Sequence, residues 1–268
     1  MTALEHDYAV TAVLDDNPGY KGSVHEDSVA RAQGFRAALI PGAFVYDYAT
    51  RLATRAWGVE WLARGAIAAR FRRPVYDGDE LVVKATPAGT FEGGPKVDVT
   101  ITNAEGEQVL VGWMALADSP PSVPAVEALA FHPFATPKPE LRVEDLAHGL
   151  EFGTEDRVLT AQDIADSRTA MGNTEAIYDD GLAHSACMVR LTMRDVLTSY
   201  KFPLAPVFTE VETRNCAPLK AGRRIQTAAQ ILDVFESNGR HYFKSEEYLV
   251  ADGTEIVARH IRTNLIAG

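Results

Sequence analysis

Arg70-Phe71-Arg72-Arg73-Pro74-Val75-Tyr76-Asp77-Gly78-Asp79-Glu80-Leu81 is the stretch on which the fold turns. Its Asp-Gly-Asp core supplies turn chemistry, and the alternating Leu81-Val82-Val83-Lys84-Ala85 that follows reads as a strand. The same outline returns in Thr213-Arg214-Asn215-Cys216-Ala217-Pro218-Leu219-Lys220-Ala221-Gly222-Arg223-Arg224-Ile225, ahead of Gln226-Thr227-Ala228-Ala229. Pro74 and Pro218, like Gly78 and Gly222, stand 144 positions apart. Two matches at one offset indicate a duplication.

Working outward, the other elements fall in the same order in both halves. Pro41 to Trp57 carries Phe44, Tyr48, Leu52 and Ala56 at four-residue spacing, an apolar stripe on a helix. His184 to Tyr200 does likewise through Cys187, Leu191 and Val196. Strand patterns follow at Lys96 to Thr102 and Gln108 to Ala117, then at Ile225 to Phe235, His241 to Val250 and Glu255 to Ile266. Ala104-Glu105-Gly106-Glu107 and Ala251-Asp252-Gly253-Thr254 supply the matching hairpin turns. One long helix plus an antiparallel sheet per half is an α+β architecture. Between the halves, six prolines (Pro120, Pro121, Pro124, Pro133, Pro137 and Pro139) break helix and strand alike. The expected division is therefore 1–118, a proline-rich linker at 119–140, and 141–268.

Composition narrows the partners. The chain has 268 residues, 46% of them hydrophobic, enough for a substantial core. A formal charge of −11 argues against a nucleic-acid footprint and leaves a small molecule or another protein. No stretch approaches the roughly 18 apolar residues of a membrane span, and Met1 to Asp15 carries acids where a signal peptide is basic, so a cytoplasmic location is expected. Cys187 and Cys216 have neither CxxC nor Cys/His spacing; buried reduced thiols are expected, with no metal.

Three stretches carry a resemblance: His25-Glu26-Asp27 with Ala30 and Gly34-Phe35, then Ile40-Pro41-Gly42 opening the first long helix, then Phe71-x-x-Pro74-Val75-x-x-Gly78-Asp79-x-Leu81. Together they resemble the MaoC-like dehydratases and hydratases of the hotdog superfamily. The resemblance implies a tandem or double hotdog, in which two long helices are each wrapped by an antiparallel sheet and pair within one chain. It implies hydration or dehydration of an enoyl or 3-hydroxyacyl thioester, with no cofactor beyond coenzyme A as part of the substrate. A homodimer or larger homo-oligomer is the expected assembly.

The family's hydratase signature is Asp-x-Asn-Pro-x-His, and this sequence departs from it. With His25 as the motif histidine, Tyr20 stands at the aspartate and Gly22 at the asparagine. Hydration needs a base for water, an acid for the alpha carbon and a donor for the enolate oxygen. His25 is expected to fill one role, with Tyr20 orienting it or acting as an acid and Asp27 holding its tautomer. The Gly42 amide is the expected donor to the thioester oxygen; Phe35, Tyr46 and Asp47 are expected to line the substrate site. In the second half the polar run from Gly172 to His184 offers Asn173, Glu175 and His184 as orienting and proton-transferring groups. Arg72 and Arg73 are expected to meet the phosphates of coenzyme A.

Plainer readings stand beside these. His25 is also a loop residue next to two acids, the run before His184 is also a capped helix entry, and flanking arginines are commonly just exposed. Two other functions remain open: a hotdog thioesterase in which Asp47 or Glu175 activates water, and a degenerate hotdog that binds or builds a ligand lacking a thioester.

Overall fold

Leu81, Val83 and Ala85 are buried and Glu80, Val82 and Lys84 face outward, so the alternation after Gly78 becomes one strand with an apolar inner face. Gly78 and Gly222 both have positive φ, +81° and +90°, which only glycine adopts without strain. At the first turn, an Asp79 carboxylate oxygen accepts from the Tyr76 N–H at 2.9 Å. The duplicated turns thus have a common physical cause.

The computed structural model describes residues 6–204 and 206–267. The first five residues, part of the segment read for a leader, lie outside it. In chain order the elements are β1 (His6–Thr11), α1 (Asp27–Ala32), α2 (Gly42–Trp57), α3 (Val59–Arg64), β2 (Gly65–Phe71), β3 (Glu80–Phe91), β4 (Gly94–Asn103) and β5 (Gln108–Leu116). There follow β6 (His132–Pro133), β7 (Glu151–Thr154), β8 (Arg157–Val158), α4 (Ala161–Met171), α5 (Ser185–Ser199), β9 (Val207–Asn215), β10 (Arg224–Ser237), β11 (Arg240–Ala251) and β12 (Glu255–Ala267). The proline-rich segment holds a short 3-10 turn at Val126–Ala128, the two residues of β6 and a single bridge from Glu140 to Lys201.

All strands join one sheet in the order β1-β3-β4-β5-β2-β9-β12-β11-β10-β7-β6, with β8 on β10. The halves meet where β2 runs antiparallel to β9, from Ala66 opposite Arg214 to Arg70 opposite Glu210. Read outward from that seam, β2, β5, β4, β3 and β1 have their counterparts in β9, β12, β11, β10 and β7. Helix α2 packs on β3, β4 and β5, α5 packs on β7, β10 and β11, and the two helices pack on each other.

The two seam strands escaped the sequence reading. Arg70, Glu210 and Glu212 point away from the helices, so the pattern there looked like a polar flank; an antiparallel sheet with one solvated face permits this. The expected stripe on α2 also ends early, since Leu52 is buried and Ala56 is exposed. Gly58, with φ +56°, stops the helix there and redirects the chain into α3, whose Trp61 is fully buried.

The interiors of the halves differ. In the first, Val83, Val99, Ile101, Leu110 and Met114 form an aliphatic layer under α2. In the second, the same layer under α5 includes Ser245, Glu247, His260 and Arg262, all fully buried.

Candidate active site

His25 is placed by three backbone ties. The Leu39 N–H donates to the Val24 carbonyl at 3.0 Å, and the Ile40 N–H donates to the Val75 carbonyl at 2.8 Å. An Asp27 carboxylate oxygen accepts from the Ala38 N–H at 2.7 Å, pulling the chain back after α1. The result sets the Leu39 carbonyl 2.8 Å from His25 Nδ1. A carbonyl only accepts, so Nδ1 carries the proton and Nε2 presents its lone pair. Nε2 has no protein partner among the described residues and is not sealed off. The tautomer is therefore held by Leu39; Asp27 is exposed and acts through the backbone, which corrects the role expected for it.

Tyr20 lies beside this histidine, with ring centroids 5.0 Å apart. Its hydroxyl donates to Asp15, and burial together with that carboxylate pushes the phenol well above its ordinary range. Tyr20 is thus a wall and an anchor for Asp15, not a ready acid. Asn17 accepts from the Gly19 N–H and caps the turn Pro18–Tyr20, so Asp16-Asn17-Pro18 is turn chemistry. Burial lowers the His25 pKa, and the Leu39 hydrogen bond offsets this only in part; Asp15 raises it and Arg190 of α5 lowers it.

His25 opens onto a cleft of about 410 Å³ between the halves. Phe35, Val45, Phe71, Met193 and Phe208 supply apolar walls. Gly42 lines the same cleft as the first residue of α2, where its N–H has no intrahelical acceptor. A side chain there would strike the Phe208 ring, since a Cβ would sit 2.8 Å from Phe208 Cδ1. Arg72 and Arg73 stand at the exposed rim; Arg73 pairs with Glu107 at 3.4 Å, while Arg72 makes no ion pair with a described residue.

The remaining candidates assemble elsewhere. Asp47 is fully buried: its Oδ1 accepts from Asn173 Nδ2 at 2.8 Å and its Oδ2 from Arg51 Nε at 2.8 Å. His184 Nδ1 lies 3.1 Å from Asp47 Oδ1 but is poorly aligned for a hydrogen bond, so it acts there as a close polar neighbour. Its Nε2 is 3.2 Å from Ser167 Oγ. Burial pushes the Asp47 carboxyl up, but His184, Arg51 and Asn173 outweigh it and hold the group below the usual carboxylate range. Tyr46 is fully buried with its hydroxyl 2.9 Å from Ser185 Oγ, and burial raises it to about 12. Glu175 pairs with Arg55 at 2.7 Å. Asp47, Tyr46, Asn173 and His184 are thus not among the residues that line the cleft holding His25.

These two clusters are pseudo-equivalent. Asp47 is the sixth residue of α2 and Arg190 the sixth of α5, and each helix carries that residue toward the other half's loop. Where Asp47 meets a closed network, Arg190 is half-buried, makes no ion pair with a described residue, stands 5.7 Å over the centre of the Phe44 ring, and carries a charge that lowers the pKa of Tyr20 and His25. The run Asn173-Thr174-Glu175-Ala176-Ile177-Tyr178 in the second half's loop has none of the Asp, Asn, Pro and His of the signature at its spacing. Tyr178 of that loop is buried, its hydroxyl 2.8 Å from Thr54 Oγ1. No local signal marks Arg190 in the sequence.

Cys187 and Cys216 are free thiols, and burial raises them to about 11 and 12. Neither is poised as a nucleophile.

The seam of two antiparallel strands, with one long helix per half on the same side, decides the architecture. The chain is a double hotdog. Its structure is similar to that of a putative MaoC domain protein dehydratase from Chloroflexus aurantiacus, with a TM-score of 0.70 at 15% identity over 99% of this chain and 95% of that one. A conserved hypothetical protein from Mycobacterium tuberculosis, described as a double hotdog, gives a TM-score of 0.63 at 15% identity over 99% and 96%. A putative oleoyl thioesterase from Lactobacillus plantarum gives 0.57 at 11% over 99% and 98%. At such identities the likeness is one of fold. No protein-family model matches the chain, and no curated protein matches it significantly. Structures described as a dehydratase and as a thioesterase are both similar to this one, so the chemistry must be argued from the site.

Proposed function

We propose that this double hotdog is a MaoC-like hydratase or dehydratase acting on an enoyl or 3-hydroxyacyl thioester of the coenzyme A type, with its single working site at His25. The observation that carries this reading is the His25 tautomer: Nδ1 is anchored on Leu39 and Nε2 is left basic in a cleft that also holds the first N–H of α2.

In the hydration direction, Nε2 takes a proton from water as the water oxygen bonds to the beta carbon. The electron pair of the double bond moves toward the thioester oxygen, where the Gly42 N–H and the positive end of α2 stabilise it. The imidazolium then returns its proton to the alpha carbon, and the base is regenerated. Arg190, contributed by the other half, places a cation beside His25 and favours the neutral imidazole that this step needs. At the rim, Arg72 is free to meet a phosphate.

The decisive assay incubates the protein with crotonyl-CoA and, separately, with butyryl-CoA. Loss of the conjugated double bond without release of free thiol is expected from the first, and no reaction from the second. Thiol release from butyryl-CoA would replace this reading with a thioesterase.

The pH dependence carries a sign. The base must be neutral, so kcat/KM rises with pH through the His25 pKa, which burial sets below the ordinary histidine value. The groups facing this ring are the Leu39 carbonyl, Asp15, Tyr20 and Arg190. Arg190→Met removes a nearby positive charge and makes His25 easier to protonate. The acidic limb should then move to higher pH. An unmoved limb would remove Arg190 from the site.

A further inference from the structure

The inner face of the second-half sheet carries half of a hydrogen-bond network. Thr213, His260 and Glu247 stand in register across β9, β12 and β11, and Arg262 stands beside Ser245 in the next inward-facing row. Arg262 donates to Glu247 Oε1 through Nη2 at 2.6 Å and Nε at 3.0 Å, and Ser245 Oγ donates to the same oxygen at 2.6 Å. All three bonds fall on one carboxylate oxygen. Glu247 Oε2, Arg262 Nη1, His260 Nε2 and Asn264 Nδ2 have no partner among the described residues, and every one of these side chains is at least 98% buried.

Native interiors pair nearly all of their buried polar groups, because an orphan gives up its water and gains nothing. Four such groups on adjacent side chains form a set able to receive a polar group. Its chemistry follows from theirs. Arg262 Nη1 and Asn264 Nδ2 offer hydrogens, and Glu247 Oε2 offers a lone pair. The Arg262 and Glu247 charges cancel, and burial lowers the His260 pKa to about 4, so the set is neutral near pH 7. An anion would meet the free Glu247 oxygen. A group that both donates and accepts, without charge, satisfies the set.

The set reaches the cleft through Asn264. Asn264 and Phe208 are both in the cleft wall, with Met193 and Leu197 of α5 opposite, and the Phe208 ring centre is 5.8 Å from the Arg262 guanidinium carbon. The corresponding layer of the first half is aliphatic and offers no such partner.

We propose that these side chains recognise the far end of the ligand, an acyl chain terminating in an uncharged hydroxyl or carboxamide that passes Phe208 and pairs with Asn264 and Arg262. The inference rests on the reading that the cleft holds an acyl thioester, and its test separates the two. Binding of trans-2-hexenoyl-CoA and of its 6-hydroxy counterpart is measured by calorimetry on the full chain, and turnover of both is followed. The hydroxylated ligand should bind about tenfold more tightly, the worth of one or two net hydrogen bonds. Asn264→Leu should bring the two affinities together. The double variant Arg262→Met with Glu247→Leu, which removes both buried charges in one step and so leaves no unpaired ion, should do the same. A preference seen in binding without turnover of either ligand keeps the pocket and overturns the reaction. Turnover with equal affinities keeps the reaction and overturns the pocket, as does a preference that survives both variants. Binding of neither ligand overturns both.

Discussion

Replacing His25 with alanine is expected to lower turnover of an enoyl thioester by about 10² to 10⁴, the usual contribution of a positioned general base. The fold should survive, because the side chain is only half-buried and its one hydrogen bond is to the Leu39 carbonyl. His25→Gln sharpens the test. A glutamine amide can still donate to Leu39, but it has no basic nitrogen to offer the cleft. A structural role would be rescued by glutamine; a catalytic one would not. Both variants should therefore be equally inactive at an unchanged melting temperature, with kcat falling more than KM changes. Activity within a few-fold of the parent in either variant would remove His25 from the chemistry and leave the cleft as a binding surface.

The architecture was legible because its signals are local. Pro74 with Gly78 and Pro218 with Gly222 specify the same turn through proline's fixed φ and glycine's positive one, and two turns at one offset imply two copies. The helices at Gly42–Trp57 and Ser185–Ser199 fell within a residue of the stretches marked by their apolar spacing. The seam strands β2 and β9 did not show themselves, since their outward Arg70, Glu210 and Glu212 pair or meet solvent on the sheet's open face.

The site was legible only in part, for the same reason. His25, Phe35 and Gly42 belong to one continuous stretch whose motif can be read residue by residue, and the fold brings all three to one cleft. Which groups face them is set by the register between α2 and α5, a property of tertiary packing that no spacing along the chain encodes. Asp47, with tyrosines on both sides, has the same neighbours in sequence whether it faces substrate or a sealed network. Only the pseudo-twofold arrangement shows that Asp47 and Arg190 hold one position in two copies with opposite charge and opposite access.

That exchange yields the largest stability effect expected in the molecule. Asp47→Ala leaves the Arg51 guanidinium buried with the Met171 carbonyl and the Tyr48 ring but no anion among the described residues, and takes from Asn173 Nδ2 its acceptor. Removing one partner of a buried ion pair costs about 3–5 kcal/mol. For a chain of this size that corresponds to a fall in melting temperature on the order of 10 °C. The pH dependence has a definite sign as well. The Asp47 pKa is depressed in the folded state, so its contribution is present above the unfolded carboxylate value of about 3.9 and is lost as pH falls through the folded value. The Asp47→Ala variant should consequently lose less of its remaining stability on acidification than the parent does. Arg190→Met, at the same position of the other helix, should lower the melting temperature far less than Asp47→Ala while shifting the pH profile, because the half-exposed guanidinium makes no ion pair with a described residue and gives up only its place over the Phe44 ring, 5.7 Å from the ring centre, where a methionine still packs. If instead the parent released thiol from an acyl-CoA and Asp47→Ala melted like the parent but lost that release, Asp47 would be the water-activating carboxylate of a thioesterase, and the sealed network around it would have to open during turnover.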